Sequence, residues 1–109
     1  MTTIAWRLVH LVGDNEIYWE HAFGAGRRNF PDLLVPATAG DALGKWQDSR
    51  APVTEWLGQA TDDDLDEPRP SHLGAPKTAG DVVSILLDEQ THHGAEIALL
   101  RDLHLWTVR

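Results

Sequence analysis

The sequence has no cysteine among its 109 residues and is short of positive charge. Without cysteine the chain cannot form a disulfide scaffold, a thiolate metal site or a cysteine nucleophile, so any metal it binds must use imidazole and carboxylate groups. Only 9 Lys and Arg stand against 17 Asp and Glu, which gives a formal net charge of −8. Nucleic acids and anionic membranes both attract basic surfaces, so we expect this chain to bind neither.

Long apolar runs and strong strand patterns are also missing. No segment is apolar over the length that a bilayer crossing requires, and the opening residues MTTIAWRLVH lack the pattern of a signal peptide. These absences favour a cytoplasmic location. At this length we expect a single domain covering residues 1–109. The five Trp are expected to serve as packing anchors, because each can bury a large apolar area.

Hydrophobic periodicity predicts three main helices. Apolar residues recur at helical spacing over residues 3–23, about 40–60 and about 79–106. Threonine stands three residues before aspartate in TAGDAL at Thr38 and in TAGDVV at Thr78, which predicts N-terminal caps for the second and third helices. Loops rich in glycine and proline separate the helices. We therefore predict an all-α helical bundle.

The third helix carries polar residues where its apolar stripe should continue. Steps of three and four along it give Val82, Leu86, Glu89, His93, Ile97 and Leu100. Glu89 and His93 therefore point towards the core, and their i, i+4 spacing would let them bind one ion together. The rival pair, Asp88 and His92, lies on a more polar line and is expected at the rim or surface. Taken alone, the Glu89–His93 spacing favours an ion pair without metal, since such pairs are common on helices.

A further polar residue in an apolar setting changes this interpretation. His10 lies in WRLVHLV, about two turns into the first helix. A single His among aliphatic residues is more often a hydrogen-bonded core residue than a ligand. Together with Glu89 and His93, however, it forms a two-histidine, one-carboxylate set on helices that must pack together. Such a set suits zinc with an open coordination position, nickel or non-haem iron(II).

The same residues carry a resemblance to a known family. TIAWRLVHL, followed much later by DEQTHHGAEIALLRDL, resembles the DinB-like superfamily of small bacterial metal-binding helical bundles. The pattern is most similar to the branch that includes mycothiol-dependent maleylpyruvate isomerase. Trp6 and His10 match a Trp one turn before a metal-binding His, and Glu89, His93 and Glu96 match the pattern of the last helix. The resemblance implies metal ligands at His10, Glu89 and His93, with zinc as the first choice and nickel or iron as alternatives.

Four further residues are candidates for the surroundings of the metal. Glu96, one turn beyond His93, is either an outer partner of that histidine or a solvated helix residue. Arg101 is a candidate for binding a substrate carboxylate, although pairing with a nearby Asp is the simpler role. His21 and His104 each lie eleven residues from a proposed ligand, on nearly the same helix face, and are candidates for lining the pocket.

The resemblance also implies an activity and an incomplete bundle. Relatives carry another helix before the His-bearing one, whereas the His-bearing helix comes first here, so we expect a homodimer in which a partner subunit supplies the fourth layer. The implied activity is that of an S-transferase or isomerase that uses a low-molecular-weight thiol of the mycothiol type and acts on a small electrophile. Two alternatives are a non-catalytic domain stabilised by metal and a metal-free dimerisation module in which Glu89 and His93 pair across an interface.

Overall fold

The computed structural model describes residues 3–107 of the chain, and these form an all-α bundle as predicted. The first helical region comprises α1 (Ile4–Gly13), a π-helical turn (Asp14–Tyr18) and α2 (Trp19–Phe23). A loop with a 3-10 turn at Phe30–Asp32 leads to α3 (Ala39–Gln59), which is followed by the short helix α4 (Asp62–Leu65). Two-residue strands, β1 (Pro68–Arg69) and β2 (Lys77–Thr78), pair antiparallel immediately before α5 (Ala79–Thr107).

Threonine side chains begin each of the three long helical regions. The hydroxyl of Thr38 accepts a hydrogen bond from the Asp41 N–H at 3.1 Å, and the hydroxyl of Thr78 accepts one from the Asp81 N–H at 3.0 Å. Asp81 also accepts a bond from the Thr78 N–H at 3.4 Å, which completes the reciprocal cap. Thr3 caps α1 in the same way. These contacts satisfy N–H groups that have no partner within the helix, so the predicted helix starts are confirmed.

The aliphatic core lies between α2 and the first half of α5. Ala22, Val82 and Leu86 are buried together, and Tyr18, Trp19, Phe23 and Val53 pack around them. Trp19 and Trp56 meet edge to face at this core with ring centroids 5.9 Å apart. By contrast, Trp6 is 49% exposed and Trp106 is 75% exposed. The expectation that the Trp residues anchor the core is therefore wrong for these two.

A partly buried polar network sets the position of the first helical region against α3 and α5. The amide of Gln90 donates to the Leu11 carbonyl at 3.3 Å and to Asn15 Oδ1 at 3.1 Å, and it accepts a bond from Trp46 Nε1 at 2.8 Å. Asn15 in turn donates to Ser49 Oγ at 3.1 Å. Because a buried amide is costly to leave unpaired, these bonds favour a single register of the helices. Gln90 neighbours Glu89 in sequence, so the same register brings Glu89 to His10.

The C-terminal part of α5 extends beyond the rest of the bundle. Residues 101–107 are all exposed, including the apolar side chains of Leu103, Leu105 and Trp106. Leu99, one turn earlier, is also exposed. Within residues 3–107, no helix combines the length and apolar character that crossing a membrane requires. The end of α5 is thus an amphipathic surface with no apolar partner among the described residues.

Candidate metal centre

His10, Glu89 and His93 meet at the contact between α1 and α5. The Oε2 atom of Glu89 lies 2.9 Å from His93 Nε2 and 3.6 Å from His10 Nε2. The two imidazole rings are 4.5 Å apart between centroids. The three residues that the sequence placed in one ligand set therefore lie together in the structure, with one carboxylate oxygen facing both histidines.

Asp14 is a fourth member of this cluster that the sequence analysis did not identify. It follows His10 by one helical turn, begins the π-helical segment and is only 1% exposed. Its Oδ2 atom lies 3.4 Å from His10 Nε2. One donor atom from each of His10, Asp14, Glu89 and His93 lies within 4.8 Å of the others, a separation that a single ion can bridge. The signal in the sequence was the i, i+4 spacing of His10 and Asp14, which repeats that of Glu89 and His93.

The two carboxylates of the cluster are in electrostatic conflict. Burial, followed by the charge and hydrogen bonding of Glu89, raises the pKa of the Asp14 carboxyl to about 8. Burial and the neighbouring His93 lower the pKa of His10, although Glu89 opposes this shift. Without an ion, the Asp14 carboxyl therefore keeps its proton near neutral pH. A divalent cation would remove this conflict, because it balances two carboxylate charges while the histidines remain neutral.

Unpartnered polar atoms concentrate at the same place. Within residues 3–107, five buried side-chain nitrogen or oxygen atoms have no aligned hydrogen-bond partner: Arg7 Nη1, Asp14 Oδ2, Arg69 Nε, His93 Nδ1 and Glu96 Oε1. Four of them belong to the cluster or to residues that touch it. Two of these atoms, His93 Nδ1 and Glu96 Oε1, face each other at 3.1 Å, so Asp14 Oδ2 is the donor oxygen of the cluster that lacks a partner. Buried polar groups are normally paired, and a bound ion would satisfy this oxygen. The donors fit zinc, nickel or iron(II), because all of them are imidazole or carboxylate groups.

Glu96 lies behind His93, on the side away from Glu89. Its Oε1 atom is 3.1 Å from His93 Nδ1, while its Oε2 atom accepts a hydrogen bond from Arg7 Nε at 2.8 Å. Arg7 is buried, and its hydrogen bond lowers the pKa of Glu96, so the carboxylate stays ionised beside the imidazole. A carboxylate at the second nitrogen of a metal-binding histidine orients the ring and fixes its tautomer. Of the two roles considered for Glu96, its position fits the outer partner of His93.

A second group of donors, His92, His93 and Glu96, is less suited to a cation. The Nε2 atom of His92 lies 2.8 Å from Glu96 Oε1, but the His92 side chain is 71% exposed. The charge of Glu96 is already balanced by Arg7. As expected for the outer line of α5, both Asp88 and His92 are exposed.

The other three candidates lie away from the cluster. Arg101 is exposed and pairs with the adjacent Asp102 at 3.3 Å, which is the simpler of its two expected roles. His21 contacts the Arg28 carbonyl through Nε2 at 3.1 Å. His104 is exposed on the last turns of α5. None of these three belongs to a donor group within the described residues.

Comparison with known proteins agrees with this geometry at the level of the family. A family model described as the DinB superfamily matches residues 1–97, which include α1, α3 and every residue of the His10 cluster. No match was found among curated proteins or among solved structures. The match covers far more than half of the chain. The protein therefore belongs to the DinB superfamily.

Proposed function

We propose that the protein binds one divalent metal ion between α1 and α5 and uses it in a thiol-dependent S-transfer or isomerisation reaction. The observation that carries this proposal is the convergence of His10, Asp14, Glu89 and His93, whose donor atoms lie within 4.8 Å of one another and include an unpartnered buried carboxylate oxygen. His10, Glu89 and His93 are the ligands expected from the family resemblance, and Asp14 adds the second negative charge. Zinc is the first choice, with nickel and iron(II) as alternatives.

Each residue of the cluster has a distinct task in this scheme. His10 and His93 supply neutral imidazole nitrogens, and Glu89 supplies the oxygen that faces both. Asp14 holds a proton in the metal-free protein and must release it on metal binding. A bound divalent ion would lower the pKa of a thiol at its open position, so that a mycothiol-type cofactor could react as the thiolate with a small electrophile.

Elemental analysis of untagged protein, purified without added metal, tests the first part of this proposal. We expect about one metal ion per chain. His93→Ala should lose the metal, whereas His92→Ala, a change of the same size on the exposed side of α5, should keep it. Wild-type protein that carries no metal and takes up none on dialysis would favour the metal-free dimerisation module. If His92 proved essential and His93 dispensable, the metal would instead be bound on the other face of α5, and the assignment of the ligands would be wrong.

Thiol consumption separates a catalytic role from a purely structural one. The assay follows loss of free thiol in the presence of an electrophilic aryl halide, with the metal-loaded protein and the metal-stripped protein compared. Turnover that needs both the metal and His93 supports the transferase. A metal that raises the melting temperature but gives no turnover with any thiol supports the non-catalytic, metal-stabilised domain.

We also propose that the chain forms a homodimer. The supporting observation is the exposed apolar surface at the end of α5, where Leu99, Leu103 and Trp106 follow one another at i, i+4 and i+7 on one helix face. Such spacing is typical of a helix face that packs against another helix. A second copy of the chain carries the same surface and can cover this one in a two-fold arrangement.

A further inference from the structure

An apolar pocket of about 310 Å³ lies directly beside the metal centre. It is lined by Trp6, Val9, His10, Phe30 and Leu33. Apart from the His10 ring and the indole N–H of Trp6, this lining is apolar, and it includes no Asp, Glu, Lys or Arg side chain. The pocket therefore borders the candidate ion through one of its ligands, and the remaining walls are aromatic or aliphatic.

The walls of this pocket depend on close packing between α1 and the loop that follows α2. A Cβ atom on Gly13 would lie 2.5 Å from Leu33 Cδ1 and 2.8 Å from Phe30 Cε1, so only glycine lets the loop approach α1 this closely. Arg28 holds the preceding part of the loop by pairing with Glu20 at 2.8 Å. The pocket is thus shaped by specific contacts at both the helix and the loop.

Aromatic rings connect the pocket to both histidines of the cluster. The Trp6 ring stacks with His10 at a centroid distance of 5.1 Å and meets His93 edge-on at 6.4 Å. Phe30 also stacks with His10, at 5.3 Å. Half of the Trp6 surface nevertheless remains exposed. An apolar ligand group in the pocket would cover some of this surface, and burial of apolar area is favourable.

We propose that this pocket receives an uncharged aromatic or branched aliphatic group of the molecule that binds at the metal centre. This inference rests on the proposed metal site and adds the class of its substrate. A charged group is disfavoured, because the pocket offers no opposite charge to offset its desolvation. The volume is at the lower end of the range for small-molecule sites, which suits one ring or a short branched chain.

Hydroxamates test the pocket independently of any thiol chemistry. Benzohydroxamate and acetohydroxamate present the same chelating group to a metal, and they differ in a phenyl ring against a methyl group. Full-length protein is loaded with Co²⁺, and binding of each probe is followed by the change in the visible absorption of the cobalt ion. We expect benzohydroxamate to bind at least about tenfold more tightly, because burying a ring adds apolar contact area.

Variants in the loop identify the pocket as the source of this preference. Leu33→Ala should reduce the ratio of the two affinities towards one and leave acetohydroxamate binding unchanged. Leu34→Ala is the matched control, because Leu34 is the next residue, is exposed and does not line this pocket. Phe30→Ala provides a second test should Leu33→Ala fold poorly.

Three results would overturn the inference. One is equal affinity for the two probes in Co²⁺-loaded wild-type protein. Another is a preference that survives both Leu33→Ala and Phe30→Ala. Protein that takes up no Co²⁺ would overturn the metal centre itself, and the inference with it. Failure of the pocket is therefore distinguishable from failure of the proposed metal site, since only the latter abolishes Co²⁺ uptake.

Discussion

Removing the charge of Glu96 is the sharpest test of how the proposed metal centre is held together. Glu96 is the only carboxylate among the described residues that lies against the Nδ1 side of His93, at 3.1 Å, and Arg7 fixes it from behind. Glu96→Gln keeps the shape of the side chain and removes its charge. The Nδ1 side of His93 would then face a neutral amide, which no longer favours one orientation and tautomer of the ring. We expect zinc affinity to fall about 10- to 100-fold, the usual effect of losing an outer partner of a ligand.

The measurement is a competition titration with a chromophoric zinc chelator, paired with urea unfolding of the metal-free protein. Both measurements are needed, because Glu96→Gln also leaves Arg7 buried without a counter-charge, which destabilises the fold. In the double variant Arg7→Met/Glu96→Gln both charges are gone, so stability should recover in part while zinc affinity stays low. Arg101→Gln is the control, because it breaks an Arg–Asp pair that is exposed and lies away from the cluster.

Two results would refute this reasoning. If Glu96→Gln lowers the stability but binds zinc as tightly as the wild type, then Glu96 is only a structural partner of Arg7. If the double variant regains both stability and zinc affinity, then the loss in the single variant came from the unpaired Arg7. Nitrogen NMR of the His93 ring gives a direct readout, because only a positioning role for Glu96 predicts a change in its tautomer.

Three further predictions concern pH, packing and assembly. The raised pKa of Asp14 means that the folded metal-free protein keeps a proton that the unfolded chain releases above about pH 4, so this group's contribution to stability should fall as pH rises towards 8. The free energy of unfolding, measured with urea at pH 5 and pH 7.5, should therefore fall more in the wild type than in Asp14→Asn. An equal change in the two proteins would contradict this prediction. Gly13→Ala should push Leu33 outwards and reduce the preference for benzohydroxamate over acetohydroxamate without loss of metal. Gly44→Ala should leave that preference unchanged, because a Cβ atom at Gly44 meets nothing within 4 Å. Sedimentation equilibrium at low micromolar concentration should show a dimer, and a stable folded species of 12 kDa would rule it out.

Periodicity was sufficient to predict the main helices and the helix faces on which His10, Glu89 and His93 lie. Glu89 and His93 interrupt an otherwise apolar stripe of α5, and His10 does the same in α1, so each helix revealed its inward polar residues. The i, i+4 spacing from His10 was a signal for a further ligand candidate, but spacing alone could not show the burial of Asp14. It belongs to the run GDNE, whose polarity resembles a solvated turn, and its burial follows from contacts with α5, more than 70 residues away in sequence. The same limit applies to Phe30, whose place beside His10 depends on how the loop folds back.

Surface exposure was harder to predict than helix position. Trp is usually well buried, yet Trp6 and Trp106 are not, because each lies where the described bundle offers no further layer. Arg7 shows the opposite case. An arginine in the first helix would ordinarily be assigned to solvent, but here it is buried because Glu96 on α5 accepts its hydrogen bond. Both departures depend on partners far away in sequence.

The π-helical turn divides the first helical region into two parts with separate angular settings. Each residue of an α-helix advances the side-chain direction by about 100°, since 3.6 residues complete a turn. The wider turn at Asp14–Tyr18 breaks that regular advance. Up to its first residue, the helix is oriented so that His10 and Asp14 face α5. After it, α2 is oriented so that Ala22 packs on Val82 and Leu86. In a uniform α-helix the direction of one group of side chains would fix the direction of the other. The π-helical turn allows the side chains of the candidate metal site and those of the aliphatic core to face their partners independently.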